Sequence, residues 1–148
     1  MTDDPRKPEV RGLLERHLAF CLSETPPEHS FALDVNRLLD PAVTFVSYRD
    51  GGTVLGVAAI KELDAESGEV KSMHTAAAAR GRGVGRALLS HLLDVARARG
   101  YQQVFLETGT TPGFAAARAL YESAGFTPAG PFGGYPQTED NTFYSVAL

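Results

Sequence analysis

The chain has 148 residues, 43% of them hydrophobic and 22% charged, which is long enough to bury a sizeable core without disulfides or metals. Its formal charge of −4 argues against nucleic acid or an anionic membrane as a partner. The single cysteine, Cys21, excludes an internal disulfide, and the four scattered histidines show no metal-ligand spacing. With no signal peptide and no long apolar span, the expected compartment is the cytoplasm.

Met1 to Glu9 is polar and carries two prolines, so a loose start is expected. Val10, Leu13, Leu14, His17, Leu18 and Cys21 then recur near a 3.6 period, which predicts an amphipathic helix to about Leu22. The Pro26-Pro27 pair breaks it, and a shorter helix is predicted from Phe31 to Leu39, closed by Asp40-Pro41. Val43 to Tyr48 and Thr53 to Leu63 read as strands joined by Asp50-Gly51-Gly52, a β-hairpin. Glu69 to Thr75 is a third strand.

Next comes Arg80-Gly81-Arg82-Gly83-Val84-Gly85-Arg86, three glycines at alternate positions among three arginines, followed by a helix that stops at Gly100. Glycines remove the Cβ atoms that keep a ligand off the backbone. A helix N-terminus adds unpaired N–H groups and a positive dipole end. In an acidic chain this basic island points to a discrete anionic ligand, a phosphate or pyrophosphate.

Gln103 to Thr108 is the next strand, predicted to lie parallel to Glu69–Thr75 through a crossover helix. Thr111-Pro112 offers an N-cap and a first-turn proline for a helix whose Phe114, Ala117, Leu120, Tyr121 and Ala124 share a face. Phe126 to Phe132 and Asn141 to Val146 complete the chain as two strands around a Gly/Pro loop. No repeat or boundary interrupts this order, so one domain spanning 1–148 is expected.

Two phosphate-binding readings fail on residues. A dinucleotide fingerprint needs a third glycine three residues after the second and the first strand of the chain before it; a P-loop needs Lys-Ser or Lys-Thr after the last glycine, where Arg86-Ala87 stands.

The pattern Arg80-x-x-Gly83-x-Gly85, followed after a helix and a strand by Ala117-x-x-Leu120-Tyr121-x-x-x-Gly125-Phe126, resembles the GNAT superfamily of acyl-CoA-dependent N-acetyltransferases. The likeness runs from Val10 to the end of the chain. Gly68 to Met73, Leu106 to Gly109 and Pro131 to Tyr135 look like a bacterial branch of small acetyltransferases whose acceptors are mostly unassigned. The resemblance implies an α/β (α+β) fold: a mixed, mostly antiparallel sheet with helices on both faces and a splayed parallel strand pair, here Glu69–Thr75 against Gln103–Thr108. It also implies acetyl-CoA as co-substrate, no metal, and a monomer or homodimer. The pantetheine amides would pair with the exposed strand edge. Met73, His74 and Thr75 carry over as pantetheine contacts and Gly81, Val84 and their neighbours up to Arg86 as pyrophosphate contacts, with Arg80, Arg82 or Arg86 available to a 3′-phosphate. Two departures stand out. The strand that usually precedes the first helix is short or missing, and Phe114 occupies the cofactor-contacting position where an asparagine often stands.

Acetyl transfer to an amine needs a neutral amine, a stabilised oxyanion and a proton for the departing thiolate. A lysine-like amine costs about 4.6 kcal/mol to deprotonate at pH 7, an α-amine about 1 kcal/mol. Tyr121 carries over as the proton donor, although periodicity alone makes it one more core position. Glu107, at the ligand-binding end of the parallel strand, and His74 are the candidate bases, with Glu62 set aside at the far end of its strand. A backbone N–H near Met73 or Thr75 would serve the oxyanion, as in similar folds. His17 reads as packing, and Arg97 and Arg99 as a solvated helix end. Glu28 in one loop and Phe132 and Tyr135 in another are candidates to read the acceptor, a small-molecule amine or exposed amino group. Two other functions fit the same residues: a non-catalytic acyl-CoA-binding or sensing module, and an acyltransferase with a hydroxyl acceptor.

Overall fold

The computed structural model describes residues 2–25 and 36–148. Helix α1 spans Pro8–Glu24, with its proline in the first turn where no N–H is needed. Strands β1 (Val43–Asp50), β2 (Thr53–Asp64) and β3 (Ser67–Thr75) follow, then helix α2 (Val84–Ala98), strand β4 (Gln103–Gly109), helix α3 (Ala115–Ser123) and strands β5 (Thr127–Ala129) and β6 (Asn141–Ala147). They form one six-stranded sheet in the order β1-β2-β3-β4-β6-β5. Every neighbouring pair is antiparallel except β3 and β4, which are parallel.

Strand β2 shows why the sheet is covered on both sides. Its alternate residues divide between two cores: Ala58 and Ile60 pack with Leu88 and Leu92 of α2, whereas Val57 and Ala59 pack with Val10, Leu13 and Leu14 of α1. All four strand residues are fully buried, so this stretch reads as continuously apolar.

The strand expected to be short or missing before α1 is reduced to a single bridge between Thr2 and Val46. Asp3 extends that attachment. Its N–H donates to the Phe45 carbonyl at 3.0 Å, and its carboxylate, 4% exposed, accepts from Ser47 and from Arg49 Nε at 2.9 Å.

Three boundaries differ from the sequence reading. Of the helix expected over Phe31–Leu39, residues 31–35 lie outside the described residues, and the rest is a 3-10 turn at Arg37–Leu39. Thr111 does not cap a helix with its side chain. Its hydroxyl donates to Glu24 at 2.9 Å, Pro112–Phe114 forms a 3-10 turn, and α3 begins only at Ala115. The strand expected over Phe126–Phe132 keeps only Thr127–Ala129, because Phe132 turns onto the sheet and its ring packs against Phe105 at 5.0 Å and Phe143 at 5.7 Å.

Candidate active site

The parallel ladder between β3 and β4 has four rungs, from Ser67↔Gln103 to Val70↔Leu106, and ends there. Beyond it β3 stays with β2, pairing His74 with Val57 and Thr75 with Gly56, while β4 follows β6, pairing Glu107 with Phe143 and Gly109 with Asn141. The two strands therefore splay, and backbone groups from Lys71 onward face a cleft instead of a neighbour. A bulge sharpens the turn-away: Ser72 and Met73 together oppose Ala58 of β2. Ser72 takes a left-handed φ of 56°, and its buried hydroxyl has no hydrogen-bond partner. An orphaned buried donor on an unpaired strand edge suits a polar, extended ligand arm.

At the mouth, Gly81 and Gly83 have φ of 77° and 78°, and Gly83 is the N-cap of α2. A Cβ on either would meet nothing within 4 Å, so the backbone here fronts open space. Arg80, Arg82 and Arg86 around them are exposed. Val84 is buried in the core beside α2, and Gly85 faces inward, where a Cβ would stand 3.1 Å from Leu120 Cδ2 and 3.7 Å from Thr75 Oγ1. Gly81 and Gly83 thus leave the backbone open, whereas Gly85 lets α2 and α3 approach each other.

Inside the cleft, Tyr121 and Ala117 of α3, Glu107 and Thr108 of β4, and His17 and Cys21 of α1 share the walls. Tyr121 is 6% exposed, and burial, reinforced by Cys21 and Glu107, pushes its hydroxyl pKa up, so the phenol keeps its proton at neutral pH. Burial pushes Glu107 up to about 7; a hydrogen bond with Asn141 and the charge of Lys71 oppose the rise, and Glu69 adds to it. The imidazoles move the other way. His74 falls to about 4 through burial and the nearby Arg80 and Arg16, and His17 falls to about 4 through burial and His74 itself. The two rings meet Nδ1 to Nδ1 at 3.1 Å. Burial raises the Cys21 thiol to about 11.

The sequence profile of the Acetyltransferase (GNAT) family matches residues 11–126. This chain belongs to the GNAT acetyltransferase family. It is 42% identical over 147 residues to the uncharacterized N-acetyltransferase YedL of Escherichia coli, covering 99% of this chain and 92% of that one. It is 39% identical over 136 residues to the IAA acetyltransferase of Azospirillum brasilense, covering 90% and 86%. A solved structure from Klebsiella pneumoniae subsp. pneumoniae, described as an acyl-CoA N-acyltransferase, has the same fold with a TM-score of 0.81 at 24% identity, covering 100% and 95%.

Within this acetyltransferase, the residues singled out from sequence fall into two groups. Met73, Glu107, Phe114 and Tyr121 line one cleft, and Thr75 lies beside Gly85 at the start of α2. His74 turns instead toward α1 and His17. His17, expected only to pack, both lines the cleft and contacts His74. Phe114 lies edge-on to Phe20 at 5.2 Å and so close over Gly109 that a Cβ there would clash with its ring. Glu28 lies outside the described residues. No group of metal-binding residues occurs among the described residues, and no described helix is long and apolar enough to cross a membrane.

Sequence reasoning missed one cluster. Glu69 and Lys71 are buried and form an ion pair at 3.0 Å; the Tyr135 hydroxyl donates to Glu69 at 2.7 Å and accepts from Lys71, whose ammonium lies 4.9 Å from the Tyr135 ring centroid. Tyr135 is thus fixed by charge, and Phe132 packs against it and the sheet. The available signal was the Glu69-x-Lys71 pair within one strand, which puts both charges on one face.

Proposed function

We propose that the protein transfers the acetyl group of acetyl-CoA to a primary amine, on a small molecule or an exposed amino group, by direct attack. The observation that carries this is the unpaired edge of β3 from Lys71 to Thr75 beside a buried tyrosine. That edge, with the orphaned Ser72 hydroxyl, suits the two amides of the pantetheine arm. The N–H groups around Gly81 and Gly83 and the three arginines suit the phosphates.

Each residue then has a task. Glu107, poised near 7, accepts a proton from the entering amine, whereas an imidazole held near 4, as in His74, is a poor base at neutral pH. A backbone N–H near Met73 or Thr75 faces the developing oxyanion. Tyr121 gives its proton to the departing thiolate and regains one from solvent. An ammonium acceptor loses two protons in all, one ending on the CoA thiol and one in bulk water. The sheet, α1 and α3 each contribute walls to the cleft, which supports reading 1–148 as a single domain.

The test is thiol release from acetyl-CoA across a panel of amines, with IAA included because a 39%-identical relative is named for it. Turnover with at least one primary amine supports the reading. Micromolar acetyl-CoA binding with no release on any acceptor would replace it with a sensing module, and release only with hydroxyl compounds would replace the acceptor class.

A further inference from the structure

Lys71 and Glu107 occupy equivalent places on the two splayed strands. The last rung of the ladder is Val70↔Leu106, so the next residue on each strand is the first left unpaired: Lys71 on β3 and Glu107 on β4. Both side chains point to the same face of the sheet, the one that also carries Glu69, and both line the cleft. Lys71 is 9% exposed and held by Glu69 at 3.0 Å and by the Tyr135 hydroxyl and ring. A buried ion pair of this kind contributes little net stability compared with apolar residues of the same volume. Its use is better sought in what it faces.

We infer that Lys71 is a positioning residue for Glu107: its ammonium, clamped by Glu69 and Tyr135, stands across the splay and favours the proton-accepting carboxylate of Glu107 against the burial that opposes it. The inference rests on reading Glu107 as the base, but its electrostatics are measurable without any acceptor. The other groups facing Glu107 do not supply this charge. On α1, His17 is neutral at pH 7 and Cys21 a protonated thiol; on α3, Tyr121 is a neutral phenol. Asn141 of β6 contributes a neutral hydrogen bond, Asp140 and Glu69 are carboxylates, and Arg118 is turned to the carbonyls of Gly109 and Thr111. Among the described residues, Lys71 is the cation that faces Glu107 to lower the carboxyl, as the direction of its influence agrees.

The test is an infrared titration of the resting protein, following the carbonyl stretch of a protonated carboxyl, with E107Q identifying the Glu107 band by its loss. K71M is expected to move the midpoint of that band upward by about 1 pH unit, and K71R to restore it. Because K71M leaves Glu69 buried without a partner, E69Q/K71M serves as the charge-free variant; its midpoint is expected to rise by less than in K71M. An unmoved midpoint in both K71M and E69Q/K71M would overturn the inference. Loss of turnover in E107Q is a separate question, so failure of the base assignment and failure of the Lys71 assignment are distinguishable.

Discussion

His17 of α1 and His74 of β3 meet Nδ1 to Nδ1 at 3.1 Å, a contact open only to imidazoles of which at least one carries no proton on that nitrogen. Both rings are held near 4, below the ordinary 6.5. A depressed histidine binds its proton less readily folded than unfolded. Its contribution to stability is therefore full above about 6.5 and is lost as pH falls toward about 4. The melting temperature is expected to drop across that window, and His17→Gln, which keeps a polar side chain without a titrating one, to flatten the drop. A profile equally steep in the variant, measured by thermal melts at stepped pH, would remove the pair as its cause.

Glu107 has the opposite sign. Its folded pKa is raised from 4.5 to about 7, so the folded state favours the protonated form and the carboxylate becomes a cost as pH rises through that range. Glu107→Gln is expected to stabilise the fold by about 1–3 kcal/mol at pH 8 and by nothing measurable at pH 4. The same variant loses about 10²-fold or more in turnover of a high-pKa amine. Melts at the two pH values, alongside thiol release, check whether the gain and the loss travel together.

Gly83 joins a left-handed φ of 78° to open space at its Cβ position. Valine there fills the space assigned to phosphate and strains the turn, at a cost of roughly 1–2 kcal/mol. Gly83→Val is expected to remain folded and to lose acetyl-CoA binding by calorimetry. Normal affinity in a folded variant would take the phosphates away from this loop.

Asp3 stands where a first strand is nearly absent. Its carboxylate is almost fully buried between Ser47 and Arg49, and those donors, with Lys7, hold its pKa well below the usual carboxylate range. Asp3→Ala leaves Ser47 and Arg49 without their acceptor and is expected to cost about 1–3 kcal/mol. Limited proteolysis should then cut ahead of α1; an unchanged digestion pattern and melting temperature would show that Thr2–Val46 and the helix suffice.

The fold was legible wherever one local rule governed: Asp50-Gly51-Gly52 for the hairpin, the 3.6 period for α1, and Gly81 and Gly83 before a helix that stops at Gly100. The boundaries that moved depended on distant partners. Thr111 carries ordinary capping chemistry, but Glu24, 87 residues away in sequence, takes its hydroxyl. Phe132 closes the segment read as a strand, yet its ring packs instead against Phe105 and Phe143. In the cleft, Tyr121 and Glu107 were accessible through motif and strand end, whereas Lys71 was not, because its meaning depends on the rung at which the ladder stops. His17 looked like packing for the same reason: its partner lies on another element.

Proton donation by the buried Tyr121 beside the unpaired strand edge is tested most directly by Tyr121→Phe. The measurement is kcat by thiol release with an amine that the wild type turns over, paired with the Kd for acetyl-CoA. A fall in kcat of about tenfold or more with Kd unchanged is expected, because the ring still fills the cleft wall and only the proton is missing. A kcat at the wild-type level would contradict it.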